Sequence, residues 1–323
     1  MKPNYKHVSY LSFSSSRRFG IELEMGHTVP KLKVSKIIKN YSSKEVNCTG
    51  YKLSSNNNFW HVKDDSTCGI FGKNGPKGVE VASYVAQGIE DVDHISFVGR
   101  MLSLAGCKTN PNCGLHIHAD VSDLNVNQVG TILSYWLKIE GWVESMVPEH
   151  RRNSKYCRSL CSLKNFDKSV FWKPQDLFVL FSPKNLGTFE NEDRRVTLNL
   201  VNYVKYVLFP NSNNSRCTLE LRCPEGTLDY NEIKNWTYFF LNFLEFCKRR
   251  GPASNLLPCS DLDEFLFLSG LSHDNETFYV FDKELFDTRN WLLKRLMMYG
   301  TSTMKRSAKK KSSFLNDSTL DNK

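Results

Sequence analysis

Five short segments of this chain place acid, imidazole or guanidinium groups at every second position. Gly20-Ile21-Glu22-Leu23-Glu24-Met25 sets two carboxylates against three apolar residues, and Leu115-His116-Ile117-His118 does the same with two imidazoles. Thr218-Leu219-Glu220-Leu221-Arg222 carries a carboxylate and a guanidinium, Arg195 to Leu200 presents Arg195 and Asn199, and Val79-Glu80-Val81 holds one more carboxylate. A period of two is the period of a β-strand, whose side chains alternate between faces. An antiparallel sheet with one wet face accounts for any one of these segments. Taken together the polar positions are unusual, because lysine, the ordinary solvated strand residue, is absent from them. Glutamate, histidine and arginine form an inventory for divalent cations and phosphate. Carboxylate oxygens suit Mg²⁺ or Mn²⁺, imidazole accepts Mn²⁺ and Zn²⁺, and the arginine fork matches phosphate or carboxylate.

Other nucleotide and hydrolase signatures are missing. The sequence has no G-x-x-x-x-G-K-[ST] loop, no G-x-G-x-x-G after a strand, no G-x-S-x-G elbow and no H-E-x-x-H helix.

The elements that must position these residues follow from periodicity. Arg17–Gly26 reads as the first strand, and a helix is expected at Val34–Tyr41 within a polar stretch, residues 31–60. Residues 64–78 read as a loop with Gly69, Gly72, Gly75 and Gly78. Helical spacing runs from Ile89 to Gly106 and from Val126 to Val147, separated by the strand Gly114–Val121. Residues 148–175 read as a basic loop, and Arg195–Leu200 and Thr218–Arg222 as strands. Asp229 is the expected N-cap of a helix Tyr230–Arg250, which Gly251-Pro252 stops. Residues 260–300 read as mostly helical, and residues 301–323 as a basic, disordered tail. Strands and helices mix without βαβ alternation, which predicts α+β with a mostly antiparallel sheet.

Composition bounds the class. The 323 residues are 40% hydrophobic and 24% charged, an ordinary globular balance. No apolar run is long enough for a transmembrane helix and the first residues lack a secretory apolar stretch, so the expectation is a cytoplasmic protein without membrane contact. The net charge is +9, but residues 305–323 hold six basic and two acidic groups, leaving +5 for the rest. That is weak evidence for a nucleic-acid partner and fits an anion-binding pocket equally well. Ten cysteines are scattered without a framework pattern, as expected for reduced thiols.

RFGIELEMG, WHVKDDS with GVEVAS, CGLHIHAD, RRVTLNL and TLELRCPEGTLDYNEIKNW, in that order, resemble the amidoligase family. That family belongs with the carboxylate–amine ligases of glutamine synthetase-like fold. The resemblance runs from about Arg18 to Arg250. It implies an amidoligase domain at 17–250 after an N-terminal arm at 1–16, with a C-terminal helical extension at 251–300. It also implies an antiparallel β half-barrel flanked by helices, whose concave face binds ATP and two or more Mg²⁺ or Mn²⁺ ions. The implied activity is amide formation through an acyl phosphate, with an amino acid, peptide or protein supplying carboxylate and amine.

Carried over by residue, the resemblance makes Glu22, Glu24, Glu80, His116 and Glu220 metal ligands. Arg222 and Arg195 become catalytic and nucleotide-binding arginines, with Asn199 also on the nucleotide; His118, a metal ligand, a phosphate donor or an orienting group, is assigned to the nucleotide with Arg152. Asp64 or Asp65 is the expected proton acceptor from the amine, with Asp64 preferred. Arg151, Arg152, Asn153 and Tyr156 resemble a segment near the substrate pocket. The Gly69–Gly78 loop, with Lys73 and Lys77, is read as flexible rather than phosphate-binding. Cys157 with Cys161, or Cys107 with Cys113, lack the double C-x₂-C spacing of a zinc site. Two other functions stay open on sequence: a catalytically silent binding protein for nucleic acid or an acidic partner, and a zinc hydrolase using His116 and His118.

Overall fold

Arg17 fixes where the first strand begins. Its buried guanidinium bonds the carboxylates of Asp123 and Glu245, at 2.7 and 2.6 Å, and the carbonyl of Asp120. From there β1 (Arg18–Met25) runs up the middle of the sheet. The computed structural model describes residues 16–26, 29–48, 58–69, 78–152, 154–162, 194–211, 216–253, 255, 257–271 and 283–317, with side chains to residue 312.

The remaining strands are β2 (Val46–Cys48), β3 (Trp60–Asp65), β4 (Gly78–Ala82), β5 (Ala86–Gln87), β6 (Leu115–Asp120), β7 (Leu198–Asn199) and β8 (Thr218–Leu221). Their order is β2-β3-β4-β1-β6-β8-β7, with β5 added to the start of β1. Every pairing between these strands is antiparallel except β2 with β3. The sheet is therefore mixed, and the expected antiparallel character holds only away from the β2 edge.

One face of the sheet is apolar. Phe19, Ile21, Leu23 and Met25 from β1 lie beside Trp60, Val62, Val81, Leu115, Ile117, Leu219 and Leu221, all buried. The helices that cover them are α1 (Lys31–Tyr41), α2 (Gly88–Leu104), α3 (Val126–Glu144) and α6 (Tyr230–Lys248). Asp229 caps α6 by accepting from the backbone of Asn231 and Glu232, as its side chain and position lead one to expect. Asn125 and Gln128 close a full capping box on α3. Shorter helices are α4 (Glu149–Arg152), α5 (Val201–Leu208) and α7 (Leu262–Leu268). The expected loop at 148–175 thus begins with a helical turn and includes a 3₁₀ turn at Leu160–Ser162. The expected strand Arg195–Leu200 shrinks to Leu198–Asn199, with Val196 bridged to Arg158.

Beyond residue 250 the chain continues on the same core. In α8 (Lys283–Tyr299), Arg295 donates to Glu225 and Glu232 at 2.5 Å each and to the Met146 carbonyl at 2.6 Å. The expectation of disorder from Thr301 is corrected here. Residues 302–317 form α9 (Ser302–Asp317). The polar composition hid a short apolar stripe: Met304 and Ala308, one turn apart, face the core, and Ala308 is fully buried. None of the described helices is long and apolar enough to cross a membrane. The ten cysteines are all free thiols.

Replacing Ala308 with glutamate forces a charge into this contact. We expect a loss of about 2 kcal/mol or more in urea unfolding, while Lys309→Glu on the exposed side of α9 changes stability little.

Candidate active site

The second face of the sheet is where the polar residues meet, and strand register decides which of them touch. Glu22 stands opposite His116, Glu24 opposite Glu80, His118 opposite Glu220, and Glu220 opposite Asn199. Directly paired residues on one face have Cβ atoms about 5 Å apart. Seven of the expected site residues are thus neighbours through backbone geometry before any side chain bends.

The distances confirm the convergence. His116 Nδ1 lies 3.3 Å from Glu22, 3.6 Å from Glu24 and 3.7 Å from Glu220. His118 Nε2 lies 3.3 Å from Glu22 and 3.7 Å from Glu220. One ligand atom each from Glu22, His116 and Glu220 lies within 4.8 Å of the others. That spread suits one ion with bonds of about 2.1–2.4 Å. Glu24 adds a carboxylate beside this trio and accepts from the Gly114 amide at 2.6 Å. Two carboxylates, a third beside them and an imidazole make a donor set fitted to a hard divalent cation.

The electrostatics follow from crowding. Burial alone would raise the Glu220 pKa, but Arg222, His118 and His116 outweigh it and hold the carboxyl down at about 2. Burial also opposes ionisation of Glu22, yet the two histidines keep it well below the usual carboxylate range. Glu80 goes the other way. Burial and the neighbouring Glu22 push it well above that range, although Lys63 bonds it at 2.7 Å. Lys63 pays burial but gains from Glu80 and Glu22, so its pKa rises. His118 is raised against its burial by Glu220 and Glu22.

Arg222 reaches Glu220 through Nη1, while its Nε is buried without a hydrogen-bond partner among the described residues. An orphaned guanidinium nitrogen beside paired carboxylates suits an anion that arrives with a cation. Asn199 is buried and donates to Glu220 at 2.6 Å while accepting from the Val201 amide, so it orients the carboxylate. Next to Glu22 and His118 opens a cavity of about 600 Å³, with Tyr84, Asp120, Tyr206 and Arg216 in its walls. That is within the usual range for a small-molecule site.

Three expected residues are not brought into the cluster. Asp64 alternates with Lys63 and Asp65 on β3, shares the face of Val62, and binds Lys31 at 2.7 Å. Asp65 is the aspartate on the site face, because residues 64 and 65 end the strand β3 and do not begin the expected loop. Arg152 is a brace: its Nε donates to the Val147 carbonyl and its Nη2 to the Tyr299 carbonyl. Arg195 lies over the Tyr156 ring, 5.2 Å from its centre, with no described carboxylate at ion-pair distance. Arg151, in contrast, is fully buried behind the cluster and donates to the carbonyls of Arg222 and Cys223. Lys63 is the site residue that the alternation reading passed over, and Trp60-His61-Val62-Lys63 carried the signal. Asn153, Lys73 and Lys77 lie outside the described residues.

A sheet face that gathers carboxylates and imidazoles beside an unsatisfied arginine has the groups that suit a metal-bound anion. The family is given by sequence. A family model described as "Putative amidoligase enzyme" matches residues 15–244, most of the chain, and the protein belongs to that family. No curated protein matches the sequence. Among solved structures, a bifunctional glutathione synthetase from Pasteurella multocida is similar at 11% identity and a TM-score of 0.41, over 92% of this chain and 46% of that one. A complex of the prokaryotic ubiquitin-like protein Pup and its ligase PafA is similar at 12% identity and a TM-score of 0.37, over 96% and 71%. The chain spans less than half the length of that synthetase.

A cation held through Glu80 displaces the proton that burial and Glu22 keep on this carboxyl by raising its pKa. Mn²⁺ affinity, measured by electron paramagnetic resonance, is therefore expected to rise with pH, by up to about tenfold per pH unit for each proton released. In Glu80→Gln that slope should fall. A flat profile in the unmodified protein would mean the ion binds elsewhere.

Proposed function

We propose that this protein is an ATP-dependent carboxylate–amine ligase. In this reading the polar sheet face is the concave side of a glutamine synthetase-like half-barrel, and the cavity beside Glu22 and His118 receives the nucleotide. The observation that carries it is the meeting of Glu22, His116 and Glu220 within 4.8 Å, drawn from three strands, in a member of the amidoligase family. Glu22, Glu24, Glu80, His116 and Glu220 would hold two or more Mg²⁺ or Mn²⁺ ions, which neutralise phosphate oxygens when bound.

The chain's own groups have distinct tasks. Arg222, with its free Nε, faces the charge that builds on the transferring phosphoryl group. His118 donates to phosphate oxygen while its charge is upheld by Glu220 and Glu22. Asn199 fixes Glu220, and Lys63 fixes Glu80. The γ-phosphoryl passes to the substrate carboxylate, giving an acyl phosphate and ADP. The amine then attacks the carbonyl, phosphate leaves, and a carboxylate accepts the amine's proton. Asp65, on the site face of β3, is better placed for that proton than Asp64. The acid and amine come from an amino acid, a peptide or a protein.

Incubation with ATP, Mg²⁺ and mixed acids and amines should release ADP and form a condensation product. Hydroxylamine should trap the acyl phosphate as a hydroxamate. Glu22→Gln and Glu220→Gln should abolish both, and Arg222→Gln should slow turnover roughly 10³-fold. Undiminished turnover in Glu220→Gln would remove this sheet face from the chemistry.

A further inference from the structure

Beside the cluster just described, on the β3–β4 side, lies a second group of a different kind. One ligand atom each from Glu24, Asp65 and Cys68 lies within 4.8 Å of the others. The Cys68 thiol is 3.5 Å from the Asp65 carboxylate, and the Cys113 thiol neighbours it. Both cysteines are completely buried. These four side chains come from β1, the end of β3, the turn after it and the turn before β6. Two thiols with two carboxylates are a tetrahedral donor set of the kind Zn²⁺ takes, and the sulfurs separate it from an all-oxygen magnesium site.

The surroundings are shaped for it. A Cβ on Gly78 would sit 2.6 Å from the Cys68 Cβ, and one on Gly226 would sit 2.4 Å from the Cys113 Cβ. Backbone packs against the back of each cysteine, which no other residue at those positions permits. Asn110 ties the two cysteine segments together. Its side-chain amide donates to the Cys68 carbonyl at 2.9 Å, and its backbone N–H points at the Cys113 sulfur at 3.4 Å. Such outer contacts orient metal ligands.

We propose that Cys68, Cys113, Asp65 and Glu24 form a zinc site that clamps the turn after β3 onto the start of β6. Binding releases the two thiol protons to solvent, and the thiolates with one oxygen from each carboxylate complete four-coordination. Glu24 forms the wall shared with the first cluster, since its other oxygen faces His116. The zinc clamp draws on Glu24 and Asp65, which the ligase reading also uses, so its test reads metal and not turnover.

The chain is purified without chelator, exchanged exhaustively into buffer with Mg²⁺, and assayed for zinc. About one zinc per chain should remain. The Co²⁺-loaded protein should show tetrahedral visible bands and a thiolate-to-cobalt charge-transfer band. Cys68→Ser and Cys113→Ser should each lose the charge-transfer intensity in part and the retained zinc at least about tenfold, while Cys157→Ser, at a separate buried thiol, keeps both. Asp65→Asn leaves both thiols and should weaken zinc retention, which covers the case in which a cysteine variant does not fold. Zinc retained undiminished in Cys68→Ser, or a cobalt spectrum of the unmodified chain without a thiolate band, overturns the site. Nucleotide turnover followed in the same preparations keeps the two proposals apart: lost turnover with zinc and thiolate bands intact counts only against the ligase.

Discussion

Four carboxylates, from Glu22, Glu24, Glu80 and Glu220, share one patch of a sheet face, and much of the site answers their repulsion. In the low dielectric of a partly buried face, like charges this close interact far more strongly than in water. The protein meets the strain in two ways. Arg222 and the two histidines keep Glu220 and Glu22 ionised. Lys63 sits on Glu80, which still holds its proton more tightly than an ordinary acid. What remains unbalanced is a demand for added positive charge, and the unsatisfied nitrogen of Arg222 offers a place for an anion to accompany it.

That arrangement needs a backbone that cannot slide. A one-residue slip of β1 against β6 would turn Glu22 and Glu24 into the apolar layer and expose Ile21 and Leu23. The cost of such a slip is set on the other face, where those apolar residues are sealed under the helices. The hydrophobic layer therefore fixes the register, and the register fixes the charges. Buried polar contacts reinforce the edges: Glu140 accepts from Thr197, Ser159 and Leu160, tying the β7 segment to α3. Arg151, fully buried, holds the carbonyls that follow Glu220.

The local readings that succeeded rest on short-range physics. Alternation in Gly20–Met25, Leu115–His118 and Thr218–Arg222 marked three strands and sorted their faces, and Asp229 marked a helix start. The ones that failed rest on contacts far along the chain. The stretch Trp60–Asp65 has only two apolar positions and follows an Asn-rich run, so it is assigned no strand, and Asp64 and Asp65 read as loop until β4 supplies the hydrogen bonds. Without a strand nothing separates Asp64 from Asp65, whereas the pleat turns Asp64 to Lys31. Arg152 and Arg195 have the chemistry of anion binders, but a carbonyl at Tyr299 and the ring of Tyr156 claim them. The terminal Ser- and Lys-rich segment folds because Met304 and Ala308 find a core built by earlier residues.

By itself the sequence determined which groups share a face with which, because side-chain alternation is a property of a few consecutive residues. It also carried enough ordered motif to place the chain in its family. Only the tertiary structure decided which faces meet. Glu22 opposes His116 across 94 positions of chain, and Cys68 finds Cys113 in a hollow that Gly78 and Gly226 leave open. Encounters of that kind depend on how a whole sheet and its helices exclude water, and no local pattern records them.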